Sequence, residues 1–149
     1  MELPSNEYSQ NAQEDMRLTV ENVERQMRRF EQLEIIPRHY FAHKTYAREI
    51  TIPADTYLTG KIHNYSQINV LSKGDISVLT DDGMRRVQAP FTIVSPPGTK
   101  RLAYAHTECV WTTFLGTDET DVKKIEQQFI SETNDDYLLF NAKWIEDKS

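Results

Sequence analysis

The chain has 149 residues, enough for one domain with a real core, and its 38% hydrophobic and 27% charged residues fit a folded protein rather than a disordered one. A single cysteine, Cys109, excludes an internal disulfide and a multi-cysteine zinc site, and no stretch approaches the roughly 20 apolar residues that span a bilayer. The net charge of −6 leaves a mildly basic middle between acidic ends, which argues against nucleic acid and suits contact of the ends with the core or with another subunit.

Residues 1–34 carry four Arg against eight Asp/Glu. The first eleven are polar, include Pro4, and read as an extended arm. With no apolar run there, no secretory signal is expected, and synthesis in the cytoplasm follows. From about Ala12 through Ile36 the chain is free of Gly and Pro and rich in helix formers, predicting a helix. Met16, Val20, Val23, Met27 and Phe30 recur at a 4-3-4-3 spacing, that of a coiled-coil seam. Such a helix packs either on its own domain or on another subunit, and these five side chains are the candidate oligomer or partner contacts. Arg25, Arg28 and Arg29 alternate with Glu21, Glu24, Glu31 and Glu34, which offers i to i+4 pairs on a solvated face.

Residues 35–116 carry nine Lys/Arg against six Asp/Glu and change character. IIPRHYFAH, TYAREITIP, YLTGKIH, INVLSKG, DISVLT, MRRVQ, FTIVS, RLAYAH and CVWTTFL are short, rich in β-branched and aromatic residues, and often alternate. They are broken by Pro53, Gly60, Gly74, the DDG at 81–83, the SPPG at 95–98 and Gly116. Many short strands with such turn signals predict an all-β sandwich or barrel. TDDGM between two of them predicts a tight hairpin, and turn chemistry accounts for Asp81 and Asp82. Cys109 and Trp111 share one face of the last strand and are expected to be buried.

Residues 117–149 carry four Lys against nine Asp/Glu. Thr117 or Thr120 can cap a helix whose buried face is Val122, Ile125 and Phe129, with Asp118, Glu119 and Asp121 in or near its first turn. The following stretch holds Tyr137, Leu138, Leu139, Phe140, Trp144 and Ile145, too apolar for a free tail, so it is expected to dock.

The run from TGKIH through VLSKGDISVLT to APFTIVSPPGTKR resembles the cupin superfamily of small jelly-roll barrels over roughly residues 45–115. More narrowly, it looks like small cupin-like proteins of tailed bacteriophages. The resemblance implies a mainly β chain: a single cupin jelly-roll barrel over 35–116, an N-terminal arm and helix over 1–34, and a C-terminal helix and docking tail over 117–149. Anchored on Gly74, Pro96 and Gly98, it places Lys61, His63, Gln67 and Arg101 where cupins carry metal ligands, with Ala105 at the asparagine of the second motif. Divalent metals take neutral imidazole, carboxylate or thiolate, and two cationic side chains repel a dication, so no metal and no cofactor is expected. Lys61, His63, Tyr65, Gln67 and Arg101 could instead form a cationic pocket for a carboxylate or phosphate, or Lys61 and Arg101 could meet the acidic ends. His39, His43 and His106 read as structural or surface residues.

No catalytic residue stands out, and the motifs of nucleotide-binding loops, serine hydrolases and zinc proteases are absent. The leading expectation is a non-catalytic, homo-oligomeric structural or accessory protein, phage-encoded as the narrower resemblance implies. Its most concrete form is a virion component whose partners are other virion proteins. A small-molecule module using the cationic pocket and a cupin enzyme are the alternatives. Neither nucleic acid nor membrane is an expected partner.

Overall fold

The computed structural model describes residues 6–80 and 82–148. The alternating segments form β1 (Arg38–Ala42), β2 (Thr45–Ile52), β3 (Thr56–Thr59), β4 (Ile62–His63), β5 (Gln67–Lys73), β6 (Asp75–Thr80), β7 (Gly83–Gln88), β8 (Phe91–Ser95), β9 (Leu102–Ala105) and β10 (Cys109–Leu115). One antiparallel sheet runs in the order β1-β2-β10-β5-β8, and a second runs β3-β9-β6-β7. Helix α1 (Asn6–Met27) precedes them; α2 (Val122–Phe129), the short strand β11 (Ile130–Ser131) and α3 (Asn134–Lys148) follow. This is the mainly β jelly roll with helices at both ends that the sequence predicts. YLTGKIH, read as one strand, is two, because the chain bends at Gly60 and leaves β4 to pair with β11.

Alternation turns one side of each strand inward. Ile50, Ile52 and Leu71 of the first sheet meet Ile76, Val78 and Ala103 of the second. Cys109 is fully buried between them, its thiol within reach of the Asp75 and Thr107 carbonyls at 3.4 and 3.2 Å. Burial pushes that thiol's pKa up, as befits a structural cysteine. The chain crosses between sheets from β5 to β6 through one residue, Gly74, at φ +101°. A Cβ there would overlap the Glu108 carbonyl oxygen and lie 2.6 Å from Cys109 Sγ, so glycine is required on two counts. β6 and β7 form the expected hairpin, paired out to Thr80 and Gly83; Asp81 lies outside the described residues.

The ends depart from expectation. α1 starts at Asn6, inside the predicted arm, since nothing from there to Met27 breaks a helix. Past Met27 the ladder gives way to i to i+3 bonds, from the Arg29 N–H to the Gln26 carbonyl and from the Phe30 N–H to the Met27 carbonyl, and Gln32 Nε2 donates to the Met27 carbonyl at 2.6 Å and the Phe30 carbonyl at 2.9 Å. Phe30 therefore lies past the helix and is 74% exposed. The helix packs on its own chain: Val20 is fully buried there, so this residue of the expected seam is closed to another subunit. Met16, Val23 and Met27 are half-buried beside it. The cap of α2 is Asp121, whose carboxylate accepts from the Lys123 N–H at 3.0 Å, rather than Thr117 or Thr120. The apolar stretch after it is not an irregular tail but α3, with Thr133 Oγ1 accepting from the Asp136 N–H at 3.1 Å. No described helix is long and apolar enough to cross a membrane.

Candidate functional site

The two sheets enclose a cavity of about 140 Å³. Ile50, Ile52, Leu58, Ile76, Val78 and Ala103 form its apolar wall, and His63, Gln67, Asn69 and Arg101 its polar wall. The polar residues arrive there by strand phase. Gln67 and Asn69 alternate inward with Leu71, and Arg48 shares the strand phase of Tyr46, Ile50 and Ile52 and lines the cavity while remaining exposed. Ile125 of α2 and Ile130 of β11 close one side, so the C-terminal segment is part of the site.

Asn69 organises the polar wall. Its Oδ1 accepts from Trp111 Nε1 at 3.2 Å and from Thr113 Oγ1 at 2.7 Å. Its Nδ2 donates to Ser95 Oγ at 2.9 Å, and Arg101 Nη2 donates to the same oxygen at 2.8 Å. His63 is held from two directions. β4 pairs with β11, placing Ile130 opposite His63, while the His63 carbonyl accepts the Gly98 N–H at 2.7 Å. Gly98 (φ +84°) leaves no room for a Cβ, which would lie 2.7 Å from Arg17 Nη1 and 2.8 Å from the Tyr137 ring. α1 and α3 thus clamp the turn that seats His63. Arg17 makes the clamp: it is 2% exposed, donates to Asn134 Oδ1 at 2.7 Å and the Gly98 carbonyl at 3.0 Å, and lies 4.4 Å over the Tyr137 ring.

Burial, and then the positive charges of Arg48 and Arg101, lower the His63 pKa to about 4, so its imidazole is neutral at pH 7. Its Nδ1 and the Gln67 Oε1 are sealed from solvent and have no hydrogen-bond partner among the described residues. Leaving a buried polar group unmatched costs about 1–3 kcal/mol, so two on one cavity wall are a feature to explain.

Of the five pocket residues expected from sequence, Lys61, His63, Gln67 and Arg101 line the cavity. Tyr65 does not: its ring meets the edges or faces of Phe129, Phe140 and Trp144 at 5.3 Å in a cluster under α3. Lys61 Nζ is 3.0 Å from a Glu132 carboxylate oxygen, so the acidic C-terminal segment meets this cation. The acidic N-terminal segment meets Lys100, one residue before Arg101. Lys100 Nζ, 3% exposed, pairs with Glu24 at 3.2 Å and donates to the Gly60 carbonyl at 2.9 Å. Burial opposes ionisation of Glu24, but the Thr59 hydroxyl and Lys100 hold its pKa below the usual carboxylate range. Sequence reading missed Arg48 and Asn69, although each could be placed by strand phase, Arg48 between Tyr46 and Ile50 and Asn69 between Gln67 and Leu71. His39 lies 2.5 Å from the Tyr46 hydroxyl and His106 lies 2.6 Å from Ser77 Oγ, neither of them on the cavity wall.

A divalent metal does not fit this donor set. The four expected ligand positions, Lys61, His63, Gln67 and Arg101, offer one imidazole, one amide, a guanidinium that stays protonated and an ammonium tied to Glu132. Among the described residues no group of three or more His, Cys, Asp or Glu converges.

No family model matches the chain, and no curated protein sequence matches it. Solved structures do. A cupin-2 domain protein from Shewanella frigidimarina is 15% identical over 63% of this chain and 91% of its own, with a TM-score of 0.46. An RmlC-like cupin from the same organism is 19% identical over 61% of this chain and 89% of its own, with a TM-score of 0.48. An acetylacetone dioxygenase from Acinetobacter johnsonii is 16% identical over 55% of this chain and 59% of its own, with a TM-score of 0.46. These are likenesses of architecture alone.

Proposed function

We propose that this protein binds a small anionic molecule inside its barrel. The observation that carries the reading is the cavity wall on which Arg101, neutral His63 and Gln67 converge, with Arg48 adding a second positive charge. Guanidinium groups recognise carboxylate and phosphate, and a cavity with an apolar body and a few convergent polar groups is how small-ligand sites are built. The site puts this reading ahead of a purely structural role. A thermal-shift screen of small carboxylates and phosphates tests it. At least one should stabilise the wild type in a concentration-dependent way and leave Arg101→Met unmoved. A screen in which no anion shifts the wild type overturns the reading.

One observation favours the second reading, an oligomeric building block. Tyr40, Ala47, Phe114, Ile68 and Val94 stand opposite one another in register across all five strands of the first sheet, on its outer side. Tyr40, Ile68 and Val94 are 49%, 47% and 65% exposed. An apolar row of this kind suits association, whether in a homo-oligomer or in the phage particle that the narrower sequence resemblance implies. Sedimentation of wild type against Ile68→Lys/Val94→Lys decides it: a drop in assembled mass supports the block, and a wild-type monomer at tens of micromolar ends it.

A further inference from the structure

We infer that the outer face of the first sheet is covered by a second copy of this chain, laid face to face about a twofold axis that runs along β10 and passes at Phe114. The inference rests on the building-block reading above and adds to it the partner and the geometry.

The row Tyr40, Ala47, Phe114, Ile68 and Val94 crosses the sheet with β10, the middle strand, at its centre. Its bulk is uneven. Ala47 leaves a hollow between Tyr40 and Phe114, whereas Ile68 and Val94 stand out at 47% and 65% exposure on the other side of Phe114. Rotation about the strand direction reverses the row on its copy. Phe114 then meets Phe114, Ile68 enters the hollow over Ala47, and Val94 meets Tyr40. An axis running across the strands would set Ala47 on Ala47 and leave the hollows empty, a loss that close packing avoids. The axis along the strands also keeps the two strand directions aligned, the relation in which twisted sheets stack at about 30°.

Charge and area point to a second copy rather than to another partner. The charged residues on this side of the five strands are Arg38, Glu49 and Lys73. Arg38 and Glu49 stand opposite one another in register; Lys73, which a bulge sets opposite Val110, pairs with Glu108 at 2.6 Å. The face is therefore close to neutral on a chain of net charge −6. It offers a charged partner no complementary patch, and it lets two identical acidic chains meet where they do not repel. The five strands are five to eight residues long. At about 4.8 Å between strands and about 3.4 Å per residue, the face spans roughly 24 by 20 Å. Two such faces bring together roughly 1,000 Å² in plan, the size that a specific interface must clear.

Cross-linking of the full chain tests the axis. Cys109 is fully buried, so a cysteine introduced on this face is the thiol that a short bis-maleimide reaches. The wild type should sediment at twice the mass of one chain, and Phe114→Cys should cross-link to itself. Tyr40→Cys and Val94→Cys should each stay unlinked when expressed alone, because β1 and β8 lie four strand spacings, about 19 Å, apart. Coexpressed, the two should link to each other at least about tenfold more than either links alone, since facing thiols meet at millimolar effective concentration. A dimer in which Tyr40→Cys links to itself as readily as to Val94→Cys overturns the axis and leaves the building block standing. So does a coexpressed pair that fails to link, or a dimeric Phe114→Cys that fails to link. If Phe114→Cys sediments as a monomer for want of the central ring, the coexpressed pair, which keeps Phe114, decides alone. A wild-type monomer at tens of micromolar overturns the axis and the building block together.

Discussion

Replacing Gly74 by alanine should be far more costly than the same change at Gly83, and the difference measures the crossing between the sheets. Both glycines hold φ near +100° (+101° and +99°), so each alanine incurs about 1–3 kcal/mol of backbone strain. They differ in surroundings. At Gly83 a Cβ meets nothing within 4 Å. At Gly74 it overlaps the Glu108 carbonyl oxygen and lies 2.6 Å from Cys109 Sγ and 2.9 Å from Cys109 Cα. Little there can yield, because β10 begins at Cys109 between β2 and β5 and the Cys109 thiol is fully buried. Overpacking of this kind adds about 1–3 kcal/mol, giving a total of about 2–6 kcal/mol for Gly74→Ala against about 1–3 kcal/mol for Gly83→Ala. Urea unfolding followed by circular dichroism gives both losses on one scale. Two variants equal within about 0.5 kcal/mol would refute the close-contact argument, since that is the scatter of unremarkable surface changes.

His63 makes stability depend on pH. Its folded pKa of about 4 lies below the usual 6.5, so its contribution is complete above pH 6.5 and is lost as pH falls towards 4. The loss amounts to about 3 kcal/mol, and urea titrations from pH 7 to 4.5 should show a slope that His63→Gln flattens; equal slopes in the two proteins would remove His63 from the account. Glu24→Gln keeps the shape but discharges the partner of buried Lys100, and should cost about 1–3 kcal/mol, less than for a fully buried pair because the Glu24 side chain is 26% exposed. A loss in chemical denaturation that is no smaller in a Lys100→Met background would argue against the pair. Trp111→Ala should cost about 2–4 kcal/mol, at or below the range for an enclosed aromatic, because the indole is only partly buried and already faces the cavity. A change under about 1 kcal/mol would make it peripheral.

Local rules carried much of the architecture. Period-two alternation and turn residues located the barrel strands, and the DDG hairpin could be read because its chemistry lies in adjacent residues; Gly74 was legible as a break, but not as a crossing between sheets pressed against Glu108 and Cys109. The acidic ends and basic middle left contact with the core or with another subunit open, and Lys61–Glu132 and Lys100–Glu24 are contacts of the first kind. Which cation meets which acid was not legible: Lys100 and Arg101 are chain neighbours, yet one is buried against α1 and the other lines the cavity. The same limit misplaced Tyr65, which turns to α3, and left Val20 open between two partners. His63 depends on a β11 partner 67 residues away and on a turn clamped by Arg17, 46 residues before it. Side-chain phase is set by neighbours two residues apart and can be read along a strand. Contacts between segments that distant are set by how the elements pack around one core, and only the tertiary structure decides them.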